Sequence, residues 1–386
     1  MPNICFIADD DIVRHSEETR RVSLNGSRNK STNEVTHPAT LVHPAHGDVI
    51  ALENQNGILY LLERVEDSLF HGDSALAFDG EAEQWDGLDS LIDVNSFIDL
   101  EGQPLQEADI EEASNQIIEA FGYPTDMFLG TRAMSDLTKT FYPRERVSIP
   151  APVGGQVGFA VQSMATQAGV IQFNPDVFLR QLKSPPAAAT SPNAPLAPAG
   201  LTDTGPGAAA SAEWTKQLGT VAVAPTFSYC VTACNRFGES APFFATPAMA
   251  PTAAEVNANN SMLIQITNAA AVGANPPEYF RVYRSRPGVV TTTPGDFSEI
   301  LRIPAASQAG AGTTAGADRN FLIPFTEIAY LGELTPQVLT FRQLAPLMKL
   351  DIAVLAPAYR WMCLLYGTPI LFAPRKWTRL LNIGRI

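Results

Sequence analysis

Residues 107–142 read EADIEEASNQIIEAFGYPTDMFLGTRAMSDLTKTFY, and the fold is worked out from this stretch. Ile110, Ala113, Ile117, Ala120 and Phe121 recur at three- and four-residue spacing, which puts them on one apolar stripe of a helix. Asp109 followed by Glu112 has the spacing of a capping box. Gly122 is a stop signal and Pro124 bars continuation. A second helix is expected from about Asp126, with Met127, Phe128, Met134 and Leu137 as its apolar positions. Neither segment carries a plausible catalytic group, so the flanks must say what the pair supports.

On the N-terminal side, Asp93–Leu100 alternates like a strand and Leu59–Phe70 reads as a short helix. Glu18–Leu24 and Thr32–Leu41 form a candidate hairpin around the polar turn Asn25–Ser31. That hairpin has too few apolar residues to fold by itself and needs a partner surface. On the C-terminal side, Val157–Gln162 and Val170–Phe173 read as paired strands, and Asp176–Leu182 as a segment that packs back on the core.

At Ser184 the composition changes. Residues 184–211 are rich in Pro, Ala and Gly and are expected to be a linker that builds no core. A β-rich module follows, with expected strands Val221–Asn235, Ser261–Asn268, Tyr279–Arg284, Ser298–Ile303 and Phe321–Tyr330. The turn-rich spacers Thr291–Asp296 and Ala305–Asn320 separate them, a pattern that argues a sandwich. Beyond Gly332 the chain becomes core-like again. Leu344–Leu355 is expected to be helical and Trp361–Phe372 a buried strand pair or bent strand. The expected organisation is one α+β domain interrupted by an all-β sandwich. Residues 1–46 hold a short N-terminal segment and the hairpin. Residues 47–183 form the first part of the core, 184–332 the linker and sandwich, and 333–386 the remainder.

The chain has 386 residues, enough for two or three domains and a large core. Its formal charge of −14 argues against free binding to nucleic acid or to an anionic membrane. Seventeen acids and one Arg or Lys, Arg64, lie between Leu61 and Glu119, whereas six bases and one acid lie between Lys349 and Ile386. Such asymmetry suits surfaces that meet copies of themselves, or simply a solvated acidic face and a basic C-terminus. Cys5, Cys230, Cys234 and Cys363 make no disulfide framework, since Cys230 and Cys234 share one strand beyond disulfide reach. With no membrane span or signal peptide apparent, the expectation is a soluble protein made in the cytoplasm.

The search for chemistry finds little. His37, His43 and His46, with Asp48, fit no standard metal spacing, and His37 and His43 precede prolines. No nucleophile elbow, P-loop, zinc-protease or dinucleotide motif is present. The acidic run Asp79–Asp93 lacks the order of ligands in a calcium loop. Arg281, Arg284 and Arg286 could bind an anion, though exposed strand arginines are the safer reading. No catalytic, cofactor-binding or metal residue is assigned. A large, well-patterned chain without a convergent polar site points to a structural role.

Two sets of segments carry a resemblance. FSYCVTACNRFGESAP, residues 227–242, resembles the F–G strand region of fibronectin type III and immunoglobulin-like domains. It precedes SMLIQIT and YFRVYRS, which resemble the earlier strands of such a sandwich, so the order departs from a simple fibronectin domain. The other set is VTHPATLV, GILYLLERVEDSLFHGDSALAFDGEAEQWDGL, IEEASNQIIEAFGYPTDMFLGTRAMSDLTK and LLYGTPILFAPRKWTRLLNIG. As an ordered set these resemble major capsid proteins of tailed bacteriophages, which have the Hong Kong phage capsid fold and in several cases an immunoglobulin-like insertion.

The resemblance implies that about Ile7–Val42 is an extended loop lying across a neighbouring subunit. Glu107–Gly122 would be the spine helix of a peripheral domain and Gly155–Phe173 that domain's sheet. An axial domain would start near Asp176, resume near Leu334 and return at the C-terminus to the peripheral domain. It implies a structural head protein, not an enzyme, that self-assembles as hexamers and pentamers into an icosahedral shell. That shell would enclose double-stranded DNA without sequence-specific contacts, with the sandwich on its outer surface. Portal, scaffolding and decoration proteins are implied partners, no membrane is involved, and the virion is the implied location. Little precedes the hairpin, so the family's N-terminal arm is expected to be short or missing. Lys30 is the only lysine of the loop, and no cross-link is expected. Two rivals remain: an adhesin or tail component that binds a surface glycan through the sandwich, and a hydrolase or lyase with an appended sandwich.

Overall fold

The computed structural model describes residues 5–6, 42–43, 47–76, 85–141, 161–179, 183–246, 248–270, 273, 275–351 and 361–385. The expected hairpin over residues 18–41 lies outside them, as do His37, His46 and residues 157–160.

In chain order the strands are β1 Cys5–Phe6, β2 Val42–His43, β3 Gly47–Asp48, β4 Phe97–Asp99, β5 Asp126–Gly130, β6 Ser163–Thr166 and β7 Gly169–Asp176. Next come β8 Gly200–Pro206, β9 Tyr229–Asn235, β10 Gly238–Glu239, β11 Phe243–Phe244, β12 Met262–Thr267, β13 Tyr279–Ser285, β14 Phe297–Pro304 and β15 Thr313–Asp318. The last are β16 Glu327–Gly332, β17 Leu339–Asp351, β18 Trp361–Leu371 and β19 Trp377–Ile383. The result is a mixed α+β architecture.

The helix at the start of the quoted stretch spans Glu107–Glu119 and buries Ile110, Ala113 and Ile117, as the stripe requires. The cap lies one turn earlier than the Asp109–Glu112 spacing suggested. Asp109 is inside the helix, and its Oδ2 accepts from the Gln106 N–H at 2.8 Å. Phe121 takes the left-handed position (φ +59°), and Gly122 is needed for close approach instead. A Cβ on Gly122 would lie 2.7 Å from Ile117 Cγ2.

The second expected helix begins late. Asp126–Gly130 is a strand, and the helix runs Thr131–Phe141. The contiguous Met127-Phe128-Leu129 has no helical period. Met127 and Leu129 enter one core, Phe128 packs on another, and a strand buried on both faces reads as an unbroken apolar run.

That strand belongs to a six-stranded sheet of order β4-β19-β16-β5-β7-β6. The β4–β19 and β5–β7 pairs are parallel; β16 pairs antiparallel with both β19 and β5. Helices Glu107–Glu119 and Thr131–Phe141 cover one face through Ile117, Leu137 and Phe141. Phe70, Leu88, Ile92, Leu179 and Val338 cover the other around Tyr330 and Trp377. All six residues of β16 are therefore buried. β16 overlaps the end of the stretch read as the last sandwich strand, Phe321–Tyr330, but it pairs in this sheet. A strand hydrophobic on both sides suits the middle of a covered sheet better than one layer of a sandwich. The sheet thus draws strands from both sides of residues 184–318.

Residues 200–318 supply two further sheets, β15-β12-β8 and β10-β9-β13-β14, with β11 also paired to β9. Their facing residues form one core of Leu201, Val231, Ile264, Ile266, Phe280, Val282, Ile300 and Ile303, closed at one end by Trp214 and Phe227. Two expectations fail here. The Pro/Ala-rich stretch provides the edge strand β8, whose Leu201 is buried, and the supposed spacer provides the edge strand β15. Edge strands need only backbone pairing with β12 along one side, so GLTDTGP and TTAGAD suffice despite weak strand signals.

Leu339–Asp351 is a strand, not a helix, paired with β18 over a long antiparallel ribbon. Leu344, Leu347 and Leu350 recur every third residue and mimic a helix, but Pro346 between them cannot sit in a helix interior. Register shifts flank it at Gln343/Ala345 and Ala345/Met348. The base of the ribbon packs Leu365 and Phe341 on Leu61, Val65 and Trp85. Leu61 and Val65 belong to a 23-residue helix, Val49–His71, which starts well before the expected Leu59.

Candidate functional site

Among the described residues no three potential metal ligands converge. His37 and His46 lie outside them. Cys230 and Cys234 are free, buried thiols on β9. Burial pushes Cys234 up to about 12 and Cys230 higher still, so neither serves as a thiolate nucleophile.

The arginines of β13 are not exposed. Arg284 is completely buried. Its Nη1 donates to Asp318 Oδ2 at 2.6 Å and its Nη2 to Asn320 Oδ1. Tyr229 Oη donates to the same Asp318 oxygen at 2.7 Å. The guanidinium carbon lies 5.0 Å from the ring centres of both Trp214 and Phe227. Both terminal nitrogens of the guanidinium are thus taken by partners within the chain, which lie 34 and 36 residues away in sequence, while its Nε is buried without a hydrogen-bond partner. Arg286 alone of the three is exposed, stacked over Phe325.

A second polar cluster joins the sandwich to the rest of the chain. It begins where the chain leaves the six-stranded sheet. Lys183 Nζ meets Asp67 Oδ1 of the long helix at 2.6 Å, and Lys183 O accepts from the Glu299 N–H at 3.1 Å. Burial opposes ionisation of Asp67, but the Lys183 ammonium outweighs it and holds the carboxyl below its usual value. Glu299 is likewise buried, yet the Arg302, Arg281 and Lys183 cations hold it down at about 2. Arg302 also donates to the carbonyl of His71 at 3.0 Å, closing the last turn of the long helix. Arg281 Nη1 reaches Glu239 Oε2 at 3.0 Å, and Glu239 Oε1 accepts from Thr232 at 2.6 Å and Tyr283 at 2.5 Å.

The cluster continues into the six-stranded sheet. His71 Nδ1 contacts Asp89 Oδ2 at 2.8 Å and Nε2 contacts Phe178 O at 3.2 Å. Tyr330 Oη donates to Asp89 Oδ1 at 2.6 Å, and Arg379 Nη1 to Asp89 O at 3.1 Å. A third tie runs from Lys216 of the sandwich to Asp99 of β4 at 3.2 Å. The acidic and basic segments noted in the sequence thus meet partly within one chain, Asp93 with Arg375 included. Sequence reading took these acids as solvated or subunit-facing. No local signal distinguishes Asp67 or Asp89 from their exposed neighbours, because their partners lie 116 and 241 residues away.

The arrangement holds elements together, and among the described residues it pairs no nucleophile with a base. What remains open is apolar surface. Ile58, Leu59 and Leu62 are exposed on the long helix, Phe121 and Tyr123 at the end of the Glu107–Glu119 helix, and Leu344, Leu347 and Leu350 along β17. Exposed leucines grouped in this way mark contact surfaces.

Comparison with known proteins gives these features a context. Residues 27–191 match the family model of the SU10 major capsid protein. The major capsid protein of Staphylococcus phage K is 28% identical over 339 residues, covering 86% of this chain and 69% of that protein. The major capsid protein of Staphylococcus phage S25-3 is similar to the same extent. Among solved structures, the encapsulin complex of Synechococcus elongatus PCC 7942 aligns with 90% of this chain and 70% of that one, at 9% identity. Its TM-score of 0.33 is too low to carry an argument. The chain is similar in sequence, over most of its length, to phage major capsid proteins.

Proposed function

We propose that this chain is the major capsid protein of a phage, a structural subunit without catalytic activity, located in the virion. The observation that carries the reading is the sequence similarity to phage major capsid proteins over 86% of the chain. The exposed leucines on the long helix and the ribbon support it, as surfaces that only assembly would cover.

In finer terms, copies form hexamers and pentamers of an icosahedral shell with the Hong Kong phage capsid fold, enclosing double-stranded DNA. The net charge of −14 suits a container that does not grip phosphates, since tight binding would oppose packing and ejection. The six-stranded sheet with its two helices serves as the peripheral domain, and the residues 7–42 loop reaches a neighbouring subunit. The sandwich is an immunoglobulin-like domain in rearranged strand order. The residues 227–242 that resemble a fibronectin domain's last strands include β9 and β10 and precede β12 and β13, which supports that rearranged order. It faces outward, as an insertion tied to the core through Lys183, Arg302 and Lys216. Portal, scaffolding and decoration proteins are the expected partners.

Expression of the full chain and electron microscopy of the purified material tests this reading. Closed shells or ring-shaped capsomers are the expected result. A stable monomer that binds glycan through the sandwich would replace it with the adhesin reading.

A further inference from the structure

The long helix Val49–His71 has two unlike sides. Leu61 and Val65 are buried against the base of the ribbon. Leu59, Leu62, Glu63 and Glu66 follow one another at three- and four-residue spacing and are all exposed. A helix turns about 100° per residue, so this stripe faces away from Leu61 and Val65 and from the chain's own ribbon base. It is apolar at its N-terminal end and acidic at its C-terminal end.

The ribbon carries the complementary composition. From Arg342 onward β17 is an edge strand, with exposed Arg342, Leu344, Leu347, Lys349 and Leu350. On its other side β18 pairs, among the described residues, only with the two-residue β1, so β17 ends a narrow sheet that leaves these leucines in water. An unprotected edge invites contact with another chain, but Pro346 and the two flanking register shifts break the regular ladder here. Side-chain docking, not strand addition, is what such an edge supports.

We propose that the outer edge of the β17–β18 ribbon docks on the outward stripe of helix Val49–His71 of a second copy of this chain. Leu344, Leu347 and Leu350 cover Leu59 and Leu62, while Arg342 and Lys349 face Glu63 and Glu66. Charge complementarity selects this occupant: the ribbon edge carries two bases, Arg342 and Lys349, to one acid, Asp351, and the helix stripe is acidic, on a chain that is acidic overall. Glu66 adds support. Burial and the neighbouring Asp176 carboxylate both raise it above the usual carboxylate value, so an approaching cation relieves a like-charge contact. The two patches differ, so the contact is head-to-tail and generates a ring when the rotation closes. This contact rests on the assembly reading above and specifies one of its interfaces.

The test combines charge reversal with site-specific cross-linking. Glu63→Lys with Glu66→Lys is expected to lower the yield of assembled particles roughly tenfold or more, since like charges then face each other. Adding Arg342→Glu and Lys349→Glu is expected to restore it. A benzophenone amino acid in place of Leu59, in particles mixed from isotopically distinct copies, should cross-link to residues 339–351 of another copy. Unchanged assembly of the reversed variant, or cross-links from position 59 to residues 7–41 instead, overturns the docking site and leaves the assembly reading standing. If the reversed variant fails to fold, the cross-link map decides alone. A wild-type chain that forms no particles removes the assembly reading and this contact with it.

Discussion

The sandwich and the ribbon dispose of difficult side chains in opposite ways. In the sandwich, Arg284 is fully buried and both terminal nitrogens of its guanidinium meet partners in the same chain, Asp318 and Asn320. On the ribbon, Leu344 is 72% exposed although nothing about a leucine favours water. The first region is complete within one copy. The second is stable only in part, and the surface it leaves open is apolar with a basic border. A chain intended to remain a monomer would gain from polar residues at 344, 347 and 350. A shell subunit gains from leaving them apolar, because the area is removed from water when a neighbour arrives.

Breaking the sandwich's self-sufficiency should give the largest effect. Arg284→Ala leaves the buried Asp318 side chain with Tyr229 Oη and the Asn320 N–H but without its cation, and should cost about 3–5 kcal/mol in urea unfolding. Acid should act on the joint next. Glu299 is held at about 2 against an ordinary 4.5, so its contribution is complete above about pH 4.5 and is lost as the pH falls toward 2. The loss is on the order of 3 kcal/mol, and Glu299→Gln should flatten that part of a stability–pH profile. Gly332→Ala in β16 would place a Cβ 2.1 Å from the Trp377 ring, and should cost about 1–3 kcal/mol through overpacking. Thr252→Ala removes the hydroxyl that accepts from Glu255 N at 3.3 Å at the start of helix Ala253–Asn257. That change should cost about 1 kcal/mol. Leu62→Gln sharpens the comparison from the other side: it should move unfolding stability by no more than about 0.5 kcal/mol, while lowering particle yield.

The contrast also explains what could be read from the residues alone. The Glu107–Glu119 helix was legible because one face is buried and the other wet, so Ile110, Ala113 and Ile117 stand out. Asp126–Gly130 was not, because both faces are covered and Met127-Phe128-Leu129 loses its period. Leu339–Asp351 was misread for a related reason. Its leucines are exposed along an edge strand, and their three-residue spacing matched a helix by accident. Arg281 and Arg284 looked like exposed strand arginines because alternation on one strand says nothing about Glu239, Asp318 or Asn320. Edge strands β8 and β15 are paired along one side through their backbones, which small and polar residues do as well as any. The joint at Asp67, Asp89 and Lys183 joins residues more than a hundred positions apart, and no short pattern announces such a pairing.

On the proposed function, the open apolar surfaces are covered by further copies of the chain. Electron microscopy of the purified full-length chain tests it most directly. Closed shells or rings of repeated subunits are the predicted result; a homogeneous, stable monomer at the concentrations where shells should form would contradict it.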